Sequence, residues 1–148
     1  MRRRLLLALP LLLAAGPAPP RVEGGWVRRP PPGAPAAAGY LVIANPGPGP
    51  DRLVSVSSPD AARVELHRMD MAGGVMRMRP VEGGLELPAA GRIALAPGGT
   101  HLMLIGPKRA LRTGDRVTVD LDFARAGRAR ARLPVRATPP AGAGGAGR

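Results

Sequence analysis

The side chains best suited to chemistry in this chain are two histidines and a group of methionines. The 148 residues include two histidines, six methionines and no cysteine. Both histidines and every methionine after Met1 lie between His67 and Met103. Imidazole nitrogen and thioether sulfur are both metal ligands. Because the rest of the chain lacks both residue types apart from the initiator, the clustering indicates a metal site.

The spacing of these residues puts several of them on common faces if their segments are strands. In a strand, residues i and i+2 project to the same side. Three sets follow this spacing: His101 with Met103, Met76 with Met78, and His67 with Met69 and Met71. Met71 is expected in the turn before Gly73-Gly74. Three segments could therefore present ligands to one point.

The types of ligand indicate which ion such a site would take. Thioether sulfur is soft and neutral and favours Cu(I), whereas imidazole suits copper and zinc alike. Zinc sites use Cys, His and carboxylate ligands, and a blue-copper site needs a Cys thiolate, which this chain lacks. Neutral His and Met ligands therefore fit Cu(I) best. A site without thiolate can release its ion to a partner that has thiolates.

Two other interpretations stay open on these residues alone. Methionine often fills gaps in hydrophobic cores, so the chain could be an exported structural or interaction β-sandwich without a metal role, with its methionines buried. An enzyme is the second alternative, but no Ser/His/Asp arrangement with a supporting motif is present. The carboxylates, among them Glu65, Asp120 and Asp122, are typical of solvated strand faces or turns. We therefore predict no enzymatic activity.

The elements that must position these residues are predicted to be short strands. Runs that alternate apolar and polar residues lie between the 21 glycines and 19 prolines, and such runs are the strand signal. Many short strands with Gly/Pro turns predict an all-β sandwich or barrel. The expected strands cover residues 39–45, 52–57, 63–69, 75–81, 84–87, 92–96, 101–105, 116–123 and 128–135.

The first 20 residues are predicted to be an export signal. Arg2, Arg3 and Arg4 precede an apolar run from Leu5 to Ala15, and small residues follow, which is the pattern of a signal peptide. The run is shorter than the roughly 20 residues that span a bilayer. We therefore expect cleavage between Ala15 and Gly24 rather than an uncleaved membrane anchor, with no membrane span afterwards.

Residues 21–137 are predicted to form a single domain, long enough to bury a core without metal or disulfides. Residues 138–148 are Pro, Ala and Gly-rich and are expected to be a disordered tail. The net charge is +12, but the arginines are spread along the chain and only three residues are aromatic. Because bases need aromatic stacking platforms, we expect no nucleic-acid partner. The domain is expected to be a monomer.

The region from His67 to Met103 resembles the PCu(A)C family of periplasmic copper chaperones. That family's motif is a His, ten residues, a Met, about twenty-one residues and His-x-Met. Here His67 is followed by ten residues and Met78, then by twenty-two residues before His101-Leu102-Met103. The flanking segments VELH, GGVMRMRPVE and PGGTHLMLIG are similar too, and the resemblance covers about residues 26–135. The family often has Met directly after the first His, where this chain has Arg68.

The resemblance implies a cupredoxin-like, Ig-related β-sandwich with Cu(I) bound by His67, Met78, His101 and Met103 near one end. It also implies a periplasmic metallochaperone that delivers copper to an acceptor protein. That acceptor would be cytochrome c oxidase subunit II, for its CuA centre, or a Sco-type thiol protein. Some family members bind Cu(II) through a His/Met-rich C-terminal tail. Residues 138–148 contain neither residue type, so no second site is expected there.

Overall fold

A computed structural model of the chain describes residues 18–142. Most of the predicted signal at residues 1–20 and the end of the predicted tail at 138–148 lie outside that range. The described chain forms ten strands and no helix: β1 Arg21–Arg28, β2 Ala36–Ala44, β3 Asp51–Ser57, β4 Ala61–Ala72, β5 Val75–Pro80, β6 Leu85–Leu87, β7 Arg92–Leu95, β8 Thr100–Pro107, β9 Arg116–Phe123 and β10 Gly127–Arg136. Between residues 18 and 142 there is accordingly no helix that could cross a membrane.

The strands hydrogen-bond in the continuous order β5-β4-β8-β2-β1-β10-β9-β3-β6, and β7 also pairs with β2. We call β5-β4-β8-β2-β1 with β7 the first half-sheet and β10-β9-β3-β6 the second half-sheet. They join where β1 and β10 run parallel, with Val27 opposite Val135 and Arg28 opposite Arg136. The other paired strands are antiparallel. The predicted all-β class is confirmed.

One apolar core unites the two half-sheets. Leu66, Leu102 and Leu104 of the first half-sheet belong to the same buried cluster as Leu53 and Leu121 of the second. Leu66 is opposite Leu102 in the β4–β8 ladder, and both side chains are buried. Because side chains alternate along a strand, residues 65, 67, 101 and 103 project from the other face of these strands. We call that face the outer face.

The methionines do not contribute to this core. Met71, Met76 and Met78 are exposed, and Met69 and Met103 are only half-buried. The interpretation in which the methionine cluster is buried is therefore wrong. Met71 also lies within β4 and not in the turn where it was expected.

A tight turn lets β4 and β5 pair up to their ends. Gly73 and Gly74 have φ values of 59° and 77°, and positive φ at both central residues is typical of a two-residue hairpin turn that only glycine adopts easily. Ala72 is consequently opposite Val75, and Met71 is opposite Met76.

One carboxylate predicted to face solvent is buried. Asp120 is 5% exposed and accepts two hydrogen bonds from Arg130, from Nε at 2.7 Å and from Nη2 at 3.0 Å. Arg130 is opposite Asp120 in the β9–β10 hairpin. The hydrogen bond from Arg130 holds the pKa of Asp120 below its ordinary value despite burial, which acts the other way.

Candidate metal centre

Both histidines and all five methionines after Met1 lie on the outer face of β5, β4 and β8. His67 is opposite His101 in the β4–β8 ladder. Across β4 and β5, Met69 is opposite Met78, and Met71 is opposite Met76. Residues directly opposite each other share a face, as do residues i and i+2 of one strand. The residues that the spacing and the family motif single out are therefore brought to one surface.

His101 is the buried member of the histidine pair, with 4% of its surface exposed. Its Nδ1 is 3.1 Å from the carbonyl oxygen of Gly99. A carbonyl only accepts hydrogen bonds, so Nδ1 carries the proton and donates it. In the neutral imidazole the lone pair is then on Nε2. The Tyr40 ring, 6.2 Å from the His101 ring, packs between it and Trp26.

His67 has the opposite arrangement. Its Nε2 is 2.7 Å from a carboxylate oxygen of Glu65, so in the neutral imidazole Nε2 donates and the lone pair is on Nδ1. That Nδ1 is buried and has no hydrogen-bond partner. A buried polar atom without a partner costs about 1–3 kcal/mol. Such an atom is therefore a candidate metal ligand, and its ring centre is 6.1 Å from that of His101.

Glu65 holds His67 in this tautomer. A hydrogen bond from Arg63, and then one from His67, lower the pKa of Glu65 from its ordinary value, so the carboxyl group remains an ionised acceptor. Carboxylates that accept a hydrogen bond from a ligand imidazole orient the ring in many metal sites. Glu65 was predicted to be a solvated strand residue, and its role was missed. The Glu-x-His spacing was the available signal, since i and i+2 share a face in a strand.

The two predicted thioether ligands lie on either side of His67. Met103 is opposite Glu65 on β8, and Met78 is opposite Met69 on β5. Each is a diagonal neighbour of His67, where Cα atoms are typically about 7–8 Å apart, within reach of long side chains. Met103 is half-buried and Met78 is 45% exposed. Within residues 18–142, no three His, Asp or Glu side chains converge on a point that could hold an ion.

The surroundings of the histidines suit a soft monovalent ion. Two neutral imidazole lone pairs and two thioethers share one face, and neither type of donor carries charge. Thioether sulfur selects Cu(I) over hard divalent ions. The two carboxylate oxygens of Glu65 already accept hydrogen bonds, one from Arg63 Nε at 2.8 Å and one from His67 Nε2 at 2.7 Å. The arrangement can hold an ion on its buried side while leaving the Met78 side open.

Residues 21–135 match the family model described as "Putative lipoprotein LpqE-like". The "Putative lipoprotein Lxx21020" of Leifsonia xyli subsp. xyli is 32% identical over 116 residues, which cover 78% of this chain and 69% of the relative.

Solved structures with the same fold include PCuAC domains. The copper-bound PCuAC domain from PmoF2 is 27% identical, with a TM-score of 0.68 over 84% of this chain and 97% of that domain. Apo-DR1885 from Deinococcus radiodurans is 27% identical, with a TM-score of 0.62 over 93% and 95% of the two chains. Its Cu(I) form is 29% identical, with a TM-score of 0.58 over 78% and 76%. This likeness confirms the predicted cupredoxin-like β-sandwich.

Proposed function

Because this chain belongs to the LpqE-like family, a PCuAC-type family, we propose that it is an exported copper chaperone. In this proposal one Cu(I) ion binds tightly to His67, Met78, His101 and Met103 and is passed to another protein. The observation that carries the proposal is the buried, unpartnered Nδ1 of His67 beside His101. A Cu(I) ion would give that nitrogen the partner that the polypeptide does not supply.

Two of the proposed ligands are fixed in place and a third is exposed to solvent. His101 is buried and fixed through Gly99, so its Nε2 is a rigid donor. His67 is fixed through Glu65, so its Nδ1 is the second rigid donor. Met78 is on the edge strand β5 and is 45% exposed. An incoming ligand would therefore replace Met78 first, while the imidazoles still hold the ion.

The proposed role is transfer and not catalysis. A neutral His/Met site binds Cu(I) without a thiolate, so a partner with thiolates can take the ion through a shared-ligand intermediate. We propose a periplasmic acceptor, either cytochrome c oxidase subunit II for its CuA centre or a Sco-type thiol protein. The carrier would be residues 21–137 after removal of residues 1–20, and it would act as a monomer.

A Cu(I) titration in the presence of reductant and a competing chelator tests the site. We expect one tightly bound ion per chain, with X-ray absorption at one equivalent giving two nitrogen and two sulfur neighbours. Acid should weaken binding, because a protonated imidazole has no lone pair for the metal.

The His101→Ala/Met103→Ala double variant should lose the tight equivalent. Val54→Ala is the control, because Val54 is exposed on β3 in the second half-sheet. An affinity that is unchanged in the double variant would contradict the proposed site.

The identity of the acceptor needs a separate experiment. The Cu(I)-loaded chain is mixed under reductant with the soluble domain of subunit II or with a Sco-type protein, the two proteins are then separated, and the copper bound to each is measured. We expect transfer to one of these and none to a variant acceptor whose cysteines are replaced by serine. Retention of copper on the chaperone in both mixtures would contradict these acceptors and leave the Cu(I) site unaffected.

A further inference from the structure

The end of the β4–β5 hairpin carries four methionines that the His67–His101 site does not fully use. Met69 and Met78 face each other across the two strands, and so do Met71 and Met76. We call Met69–Met78 the inner rung and Met71–Met76 the outer rung. All four side chains project from the outer face, the same face as His67, because they follow it at two-residue intervals along β4 or are opposite those positions.

This part of the hairpin extends beyond the rest of the first half-sheet. The register between β4 and β8 runs from Ala61 to Arg68, whereas β4 continues to Ala72. Every residue of β5 is exposed. Met71 and Met76 are 71% and 54% exposed, so their side chains add little to the apolar core. Packing therefore does not explain why thioethers occupy both positions of the outer rung.

Sulfur is the only ligand type that the two rungs offer on this face. The charged residues of this part of the hairpin occupy the alternate positions and project to the opposite side. They are Arg68, Asp70, Arg77 and Arg79. Asp70 is opposite Arg77, and Arg68 is opposite Arg79. Hard divalent cations prefer carboxylate oxygen, whereas thioethers select Cu(I). The two rungs consequently offer a purely soft donor set.

The rungs also form steps toward the histidine pair. Residues two apart on a strand are separated by about 7 Å along its axis. The outer rung is one such step from the inner rung, and the inner rung is one step from His67. Met78 belongs to the inner rung and is also the exposed ligand of the proposed Cu(I) site. An ion on the rungs could therefore reach the imidazoles by exchanging one thioether at a time.

We propose that the two rungs form a second, weaker Cu(I) site through which the ion enters and leaves the imidazole site, with Met69, Met71 and Met76 as its ligands while Met78 is bound to an ion in the imidazole site. The proposal rests on the proposed function, since it takes the His67–His101 centre as the destination of the ion. Binding at the rungs is weaker because it uses thioethers without imidazole and because the outer rung is open to solvent. No oxidation or proton transfer is involved, only replacement of one neutral ligand by another.

The test removes the outer rung and leaves the imidazole site intact. Met71→Leu/Met76→Leu replaces both thioethers with apolar side chains of similar volume, which is usually well tolerated. Val75→Leu is the matched control, because Val75 is exposed in the same hairpin but projects from its other face. Circular dichroism checks that all three proteins are folded. Cu(I) is titrated under reductant against a weak competing chelator, and the methionine ε-methyl groups are followed by NMR.

We expect the unmodified chain and the Val75→Leu control to bind two Cu(I) ions, the second more weakly, with shifts of the Met71 and Met76 methyl signals. The outer-rung variant should retain the tight equivalent, lose the weak one and transfer Cu(I) more slowly to a small dithiol. Saturation of the unmodified chain at one ion would overturn this inference, as would a second equivalent that persists in the variant. Either result would leave the proposed imidazole site unaffected. If the unmodified chain bound no Cu(I) ion tightly, the proposed function itself would be contradicted.

Discussion

His67 and His101 leave different ring nitrogens free, and each choice has a local cause. The Gly99 carbonyl oxygen fixes the proton of His101 on Nδ1, and the Glu65 carboxylate fixes that of His67 on Nε2. The two rings are therefore oriented before any ion arrives. Binding at the proposed site would then cost little reorganisation, which is how hydrogen-bonding partners outside the ligand set raise metal affinity.

Replacing Glu65 tests this orientation. In Glu65→Ala, His67 loses its acceptor, and we expect Cu(I) affinity to fall about 10–100-fold, the usual effect of removing such a partner. Glu65→Gln keeps an acceptor oxygen and should lose less. Chelator competition gives the affinities, and Glu86→Ala is the control, since Glu86 is an exposed carboxylate paired with Arg52. Equal affinities for Glu65→Ala and the unmodified chain would show that His67 does not need this contact.

The residue types and their spacing predicted which side chains share the outer face, because i, i+2 alternation holds for any strand. The family resemblance indicated which four of the seven histidines and methionines are the expected ligands. Neither could predict the unpartnered Nδ1 of His67, since that depends on which atoms the neighbouring strand brings near the ring. Burial of Tyr40 beside His101 was likewise unpredictable, because it needs the register of β2 against β8.

At the scale of elements, most strands follow from alternation, but β1 was missed. Its sequence contains Gly24 and Gly25, and the pairing with β2 shifts register between Glu23 and Trp26. Such an irregularity breaks the period-two pattern on which strand prediction depends. The close approach at Gly25, where a Cβ atom would lie 2.3 Å from a Leu133 methyl carbon, explains why a side chain is absent there.

The β9–β10 hairpin gives a prediction for acid stability. The Arg130 hydrogen bond lowers the pKa of Asp120 below its ordinary value in the folded state, so the unfolded chain binds more protons between the two pKa values. The stabilisation is therefore complete above the unfolded pKa and is lost as pH falls through the folded one. We expect Asp120→Asn to flatten the decrease in unfolding free energy below about pH 4, as measured by urea denaturation at a series of pH values.

Asp115→Asn serves as the comparison in that series, because Asp115 pairs with Arg109 near the surface. If Asp120→Asn shows the same acid dependence as the unmodified chain, the Asp120–Arg130 ion pair does not contribute to acid stability.

At the scale of the whole molecule, the core and the outer face are built from alternate residues of the same strands. Leu102 lies between His101 and Met103 in the sequence. Its side chain points into the core and is fully buried. We expect Leu102→Ala to lower the free energy of unfolding by about 2–5 kcal/mol, the usual range for a buried leucine, as measured by chemical denaturation. Val54→Ala, at an exposed position, should change it by less than about 0.5 kcal/mol.

A change for Leu102→Ala as small as that for Val54→Ala would contradict the assignment of Leu102 to the core. The sequence predicted a core of Val, Leu, Ile, Ala and Met on alternating strands, and the buried cluster contains the first four residue types but no methionine. It could not predict the order of the strands, because pairing between distant segments leaves no local pattern.

The parallel contact between β1 and β10 has a consequence for the timing of folding. It joins the first and last strands of residues 18–142 through two register pairs, Val27 with Val135 and Arg28 with Arg136. Contacts between segments so far apart in the chain form slowly, because a long loop must close first. β1 therefore has to remain without its parallel neighbour until β10, which follows every other strand in the chain, becomes available. The strands β4, β5 and β8 hydrogen-bond only with one another and with β2, so their ladders can pair before the two half-sheets close over the shared core.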